Sequence, residues 1–459
     1  RDDFVYRVTV GELPFVTRVF PLGGQEGALT LAEVEGYNLH WGRVPLDTRA
    51  GGGSMREAAW RHGTGITNTV RYAVDDLREE IESEPNDAPP RVPRVALPCI
   101  VNGRIDRAGD VDLFAFDGRR GEEVVLEVKA RVLGSPLDSV IRLLDAQGEV
   151  VAWNDDYVPE GLTLRALGLQ THHADSYLRA KLPRSGLYYA RIADVRGHGS
   201  VDHAYRLRLS APRPNVELDV TPSNVNVPAG RAALIDVHAL RKDGYDGDID
   251  LFLDGHAPEG FDLGGAFIPR GQSHVAMTLA APAKGPTTPF ELKLGGRIKV
   301  GRTVVERPVL PADNVMQAFL WRHLVPAEHL AVCVQKGGGR FQAVALENDD
   351  ALTIRRGGKA KATFRVKGRV AVKSLRFEPI DPPEGILLGQ TRFAGNGFSF
   401  EVKATRDAPK TGETVNLIVE AFFEGVVPAR DRNGKPQKRA GTRWSRSLGL
   451  LPAIPVVVR

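Results

Sequence analysis

Long apolar runs are missing from this chain: no stretch approaches the ~20 consecutive apolar residues that a membrane-spanning helix needs. Cysteine is nearly absent, with two in 459 residues. Cys99 and Cys333 lie far apart, each inside an apolar run ("ALPCIV", "LAVCVQ"), and read as two buried free thiols rather than a bridge. Without a C-x-x-C pair or a Cys/His cluster, zinc has no ligand set. An excess of one charge is missing too, since Lys+Arg 61 against Asp+Glu 57 leaves +4. The bases are interspersed with acids, so no nucleic-acid face is expected. The most basic stretch, "DRNGKPQKRAGTRWSR" (Asp431–Arg446), reads as a long hairpin loop. Helical periodicity is scarce: "VDDLREEIE" (Val74–Glu82) and "NVMQAFLWRHL" (Asn314–Leu324) are the helix candidates. Catalytic signatures are also lacking, with no G-x-S-x-G, H-E-x-x-H or G-x-x-x-x-G-K-[ST]. "THHADSY" gathers His172, His173, Asp175 and Ser176, but adjacent residues cannot easily converge as a triad does. No enzyme is expected within this chain.

What is abundant is the short alternating run bounded by Gly, Pro, Asn and Asp, the mark of all-β sandwiches. "EEVVLEV", "YYARIAD", "AYRLRLS" and "FSFEVKA" are strands by this test. "DAQGEV" carries hairpin-turn chemistry, with Gly where a positive φ is needed. "KDGYDGDIDL" lacks EF-hand spacing and reads as a hairpin. "DDFVYRVTVGELP" and "VDHAYRLRLSAPRP" share an acid, an aromatic and then Y-R-apolar-x-apolar. The first therefore reads as the last strand of an earlier copy whose body lies upstream of Arg1, in a longer polypeptide. On that reading an absent signal peptide says nothing about compartment.

"EIESEPNDAPP" (Glu80–Pro90) packs four acids, one Asn and three prolines into eleven residues. Calcium takes about 6–8 oxygen ligands and suits carboxylates on irregular backbone. In an extended segment Glu82, Glu84 and Asn86 alternate onto one side, with Asp87 pointing away or capping the next turn. "DRAGDVDLF" supplies Asp106, Asp110 and Asp112 at a strand entry. Asp110 and Asp112 are expected on one face, with Val111 and Leu113 toward the core. The alternative is a set of solvated acidic turns. A second constellation, Asp138, Asn154, Asp155 and Asp175, is a possible further ion site, although Asx turns explain most of it. Exposed aromatics such as Trp153, Trp321 and Trp444 are candidates for binding sugars or proteins.

From Glu82 to Pro212, "ESEPNDAP", "VNGRIDRAGDVDLFAFDG", "GSPLDSVIRLLDAQGEVVAWNDD" and "ADSYLRAKLPRSGLYYARIAD" resemble, in order and spacing, the bacterial pre-peptidase C-terminal (PPC) domain. That family is a jelly-roll-like sandwich attached to secreted proteases and surface proteins. The resemblance implies calcium at Glu82, Glu84, Asn86, Asp110 and Asp112. Leu113 departs from the aromatic pair usual before the strand. "PFVTRVFPLGGQEGALTLAEVEGYNL" (Pro14–Leu39) is similar to the opening of an IPT/TIG domain, and "VELDVTPSNVNVPAG" onward resembles a bacterial Ig-like repeat. The whole resembles planctomycete multidomain PPC proteins. The expected order is a strand remnant at 1–13, an IPT/TIG-like domain at 14–76 and a PPC-like sandwich at 77–214. An Ig-like domain at 215–310, a connector at 311–329 and a C-terminal Ig-like sandwich at 330–459 follow. The function expected is a structural, adhesive or binding segment of a secreted or cell-surface bacterial protein, contacting protein or polysaccharide. The alternatives are an accessory region of a secreted hydrolase and a self-assembling subunit of a surface layer or filament.

Overall fold

In the computed structural model, the described residues are 10–459 apart from 52–53, 64, 90, 158–168, 171–174, 317–321, 337–341, 347–350, 368–373 and 431–435. The chain is all-β, a series of tandem sandwiches. Among the described residues helix is confined to the 3-10 turn Arg131–Leu133 and a single 3-10 residue, Ser374. No described helix is long and apolar enough to cross a membrane. The chain forms two compact units, each holding two sandwiches. Residues 1–9, and with them most of the expected strand remnant, lie outside the described residues.

The first sandwich closes two three-stranded sheets. One runs Phe15–Phe20, Thr30–Tyr37, Arg43–Leu46; the other runs Gly23–Gln25, Val70–Asp75, Met55–Ala58. Alternation in "TLAEVEGY" turns Ala32 and Val34 inward against Val16, Leu46 and Tyr72.

The second sandwich has a five-stranded sheet in the order Tyr177–Lys181, Glu123–Lys129, Ala204–Ser210, Cys99–Arg104, Glu79–Ile81. A four-stranded sheet, Val111–Gly118, Gly186–Asp194, Ser139–Asp145, Val150–Asn154, faces it. Phe114, Phe116, Leu126, Ile141, Tyr188 and Tyr205 fill the space between. Tyr188 faces in and stacks on Phe116 at 5.9 Å, while Tyr189 is half-buried. The "DAQGEV" hairpin forms as its turn residues require, with Gly148 at φ 84 and its N–H donating to Asp145 O. The helix expected at Val74–Glu82 is instead strand, turn and strand. Val74 and Asp75 end one strand, Asp75 Oδ1 accepts the Leu77 N–H, and Glu79–Ile81 pairs parallel with Cys99–Arg104. Phe20, Leu22, Ala73, Leu133 and Ala204 form a small cluster joining the first two sandwiches, and the Arg104 guanidinium lies 3.6 Å from the Phe20 ring centroid.

In the second unit, one core spans Val216 to Val334 and another Leu352 to Val458. The boundary expected at 330 therefore moves. Ala331–Gln335 pairs parallel with Asn224–Pro228 and antiparallel with Phe290–Glu291, so "LAVCVQ" completes the third core. The expected connector pairs Thr303–Met316 antiparallel with Arg322–Pro326, so both described ends of the helix expected at Asn314–Leu324 are strand, while 317–321 lie outside the described residues. "KDGYDGDIDL" is not a hairpin: it carries the chain from Ala232–Lys242 to Ile249–Leu253, strands with different partners. The basic stretch read as a loop is largely strand, since Pro436–Leu450 pairs along Thr414–Arg430. Both cysteines are free; Cys99 is buried, whereas Cys333 is half-buried and its Sγ donates to Thr287 O.

Candidate metal centre

Five residues singled out in the sequence meet at one end of the second sandwich. Glu82 follows the parallel edge strand, and its main-chain N–H donates to Asn102 O at 2.9 Å. Its Oε1 accepts the Arg104 N–H. Asn86 is 0% exposed, pinned by its N–H donating to Glu84 Oε2 at 3.0 Å and by its carbonyl accepting from Leu113 N. Asp110 and Asp112 flank Val111 at the start of the Val111–Gly118 strand, and both are buried. One carboxylate oxygen from each of Glu82, Glu84 and Asp112 lies within 4.8 Å of the others, and the same holds for Glu84, Asp87 and Asp110. Asp87 thus joins the cluster instead of pointing away from it.

The face of Asp112 is also corrected. Core residues on this strand are Phe114 and Phe116, so Asp112, two residues earlier, shares the core face. It meets Tyr205, fully buried on the strand Ala204–Ser210. The Tyr205 hydroxyl lies 2.6 Å from Asp112 Oδ2 and 2.9 Å from Glu82 Oε2. A hydroxyl has one proton to donate, so it cannot satisfy two carboxylates. Another proton or a cation must balance the pair. Burial, and then the neighbouring Glu82, push the Asp112 carboxyl far above the usual carboxylate range. Burial raises Glu82 as well. Glu84 is raised by partial burial and then by Asp110 and Asp87.

Several buried oxygens here lack hydrogen-bond partners: Asn86 Oδ1 with its amide nitrogen, Asp112 Oδ1 and Asp110 Oδ1. The last has an ion-pair contact at 3.3 Å with Arg107, whose guanidinium also donates to Asp87 Oδ2 at 2.8 Å. Buried polar atoms left unpaired cost about 1–3 kcal/mol each. Orphaned oxygens beside several carboxylates are what a hard cation takes up, so the residues present fit calcium at Glu82, Glu84, Asn86, Asp110 and Asp112. Gly103 makes room for the cluster, because a Cβ there would sit 2.3 Å from both Glu82 Oε2 and the Tyr205 hydroxyl.

The second constellation is used differently. Asp175 accepts the N–H groups of Ala130, Arg131 and Val132 at 3.1, 2.7 and 3.2 Å, fixing the 3-10 turn. Asn154 Oδ1 accepts from Tyr177 N and Asp155 Oδ1 from Asp156 N. Asp138 is raised by burial and then Asp156, and its N–H donates to Asp194. Among the described residues Asp138, Asp155 and Asp175 are not gathered into a group of acids that could hold a cation. His172, His173 and Trp321 lie outside the described residues. Ser176 is buried against Ser139, its Oγ 2.6 Å from that of Ser139. Trp153 and Trp444 are exposed, whereas Trp41 and Trp60 pack edge-on at 6.4 Å beside the first core.

Tyr205, Gly103 and Asp87 are the members that the sequence reading did not assign. Tyr205 had a signal, as the tyrosine of the Y-R pair repeated in both copies of the closing strand.

No family model matches the chain. A probable subtilase-type serine protease of Deinococcus radiodurans is 34% identical over 85 residues, 18% of this chain and 10% of that protein. The chain thus spans about a tenth of the length of this curated relative. Among solved structures, the pre-peptidase C-terminal domain of a Bacillus anthracis collagenase is covered in full by 27% of this chain, at 17% identity and a TM-score of 0.19. Domains 5–6 of the S-layer protein SbsC are covered to 99% by 54% of this chain, at 13% identity and a TM-score of 0.20.

Proposed function

We propose that this chain is a non-catalytic structural, adhesive or binding segment of a secreted or cell-surface protein. Its second sandwich is then a calcium-stabilised PPC-like module, preceded by an IPT/TIG-like one. The observation that carries the reading is the pair of orphaned buried groups, the Asn86 amide and Asp112 Oδ1, beside carboxylates that Tyr205 alone cannot satisfy. When bound, calcium would supply the positive charge that lets Glu82 and Asp112 ionise together. Glu82 is tied through Arg104 N to a residue whose side chain covers Phe20 of the first sandwich, so ordering the acidic loop also steadies that junction. Sites of this kind in extracellular modules bind at about 10⁻⁴–10⁻³ M, an affinity that suits a compartment rich in calcium.

The test is thermal unfolding of the chain in EDTA and in millimolar calcium, beside a Glu84→Ala, Asp112→Ala variant. A calcium-dependent rise that the variant loses supports the reading; coincident curves for all samples remove calcium from it. A second reading, an accessory region of a secreted hydrolase, draws on the partial likeness to a subtilase-type protease. A catalytic Ser/His/Asp set upstream in the same polypeptide favours the accessory role; further sandwich repeats there favour the structural one.

A further inference from the structure

The last sandwich holds the chain's charge asymmetry. From Leu352 to Arg459 there are 21 Lys and Arg against 9 Asp and Glu, a net of +12 in a chain whose total is +4. Part of that excess is collected on one sheet. Lys359–Lys367 pairs with Gly397–Ala404, which pairs with Ile386–Ala394. Register sets Lys359 opposite Lys403, Lys361 opposite Glu401, and Arg392 opposite Ser399. The alternate residues Ala362, Phe364, Phe398, Phe400 and Val402 lie in the core, so the charged set shares the solvent face. A depression of about 290 Å³ opens there, lined by Lys359, Lys361, Gln390, Arg392, Ser399 and Glu401. Its size is near the lower end of the roughly 300–1,000 Å³ of small-ligand sites. Glu401, the acid in this set, is engaged already: Lys359 Nζ donates to it at 2.9 Å. That hydrogen bond, then the charges of Lys359, Lys403 and Arg392, holds its carboxyl below the usual range.

We propose that this face binds an acidic polysaccharide, with Lys361 and Arg392 contacting its carboxylates and Gln390 and Ser399 its hydroxyls. Charge complementarity selects the polyanion. The sugar is favoured over an acidic protein by the polar groups set among the cations: Gln390 and Ser399 line the same depression and offer hydrogen bonds suited to ring hydroxyls. The inference rests on the surface-protein reading but is independent of calcium at the second sandwich.

The experiment is affinity electrophoresis of the whole chain through gels holding polygalacturonate, neutral dextran or poly-glutamate, each in EDTA and in calcium. Retention by polygalacturonate in both conditions, but not by dextran, is expected. A Lys361→Gln, Arg392→Gln variant loses affinity by about tenfold or more, the scale of one to two charge-assisted contacts. Its melting curve and its calcium response stay those of the parent. A control that neutralises two exposed cations of the third sandwich, Lys299→Gln with Arg302→Gln, keeps full retention. Equal loss in the control, equal retention by poly-glutamate, or no retention by polygalacturonate overturns the proposal. Loss of the calcium response in the parent chain would instead sink the reading of the second sandwich and leave this one standing.

Discussion

The second and third sandwiches both bury an ionisable cluster among apolar strands, and they bury opposite kinds. In the second, Glu82 and Asp112 share Tyr205. In the third, His238 lies on the strand Ala232–Lys242, with Asp219 and His274 opposite it on the neighbouring strands. Its Nδ1 is buried without a partner and its Nε2 lies 3.4 Å from Thr221 Oγ1. The His274 ring stands 4.9 Å away, paired with Asp236 at 2.8 Å. Burial disfavours the charged form in both places. The carboxyls therefore rise, to about 7 for Glu82 and about 9 for Asp112, while burial and then His274 bring His238 down to about 4. The same physics favours the neutral form in both cores, protonated carboxyls in one and an unprotonated imidazole in the other.

The widest separation between the two comes from calcium. At a concentration a hundredfold above Kd, binding adds about 2.7 kcal/mol to the folded state. Calorimetry should show the transition of the second sandwich rising and that of the third unmoved. Asp112→Asn sharpens this: in EDTA at pH 8 it raises stability by removing a buried acid, yet it abolishes the calcium response. A variant that still responds would break the assignment of Asp112.

Gly103→Ala comes next. Its Cβ meets Glu82 and Tyr205, and overpacking of this kind costs about 1–3 kcal/mol. Chemical denaturation should place the loss in the second sandwich alone.

The pH response follows, with opposite signs. Raised carboxyls mean that the folded second sandwich binds more protons than its unfolded chain. In EDTA its stability is greatest below about pH 4 for these groups and is lost as pH rises through about 7 and about 9. A depressed histidine works the other way. The contribution of His238 is present above 6.5 and lost as pH falls toward about 4, by about 1–3 kcal/mol. Melting curves from pH 4 to 9 test both limbs, and His238→Gln should flatten the acid one. Parallel slopes in the two sandwiches would end the comparison.

The smallest effect lies on the surface. Lys359→Ala breaks an exposed pair with Glu401 and should leave the urea midpoint unchanged within the scatter of repeat measurements.

The sandwich class was legible because alternation and turn residues repeat along the whole chain. The acidic site was legible as composition, in Glu82, Glu84, Asn86, Asp110 and Asp112, since oxygen-rich irregular backbone is visible in one dimension. The orientation of Asp112 was not. Its strand buries five successive residues from Asp112 to Phe116, and a period of two cannot name the core face when both faces are covered. Tyr205 lies 93 residues from Asp112, a contact no local pattern encodes. The supposed helix at Val74–Glu82 had Leu77 and Ile81 one helical turn apart, but the open edge of Cys99–Arg104 offered Glu79–Ile81 a ladder of hydrogen bonds instead. In the same way Asn224–Pro228 drew Ala331–Gln335 into the third core and shifted the expected boundary.

Glu79–Ile81 has a mechanical consequence. Three residues separate it from the last strand of the first sandwich, so the joint has almost no slack. The strip is held by Ile100 N donating to Arg78 O at 2.8 Å, by Glu82 N donating to Asn102 O at 2.9 Å, and by Arg206 clasping Glu79 at 2.7 and 2.8 Å. Tension along the strip's own axis runs across these bonds and loads them in shear, so they share the force instead of opening one after another. The seam between the two sandwiches behaves as a lap joint rather than a hinge.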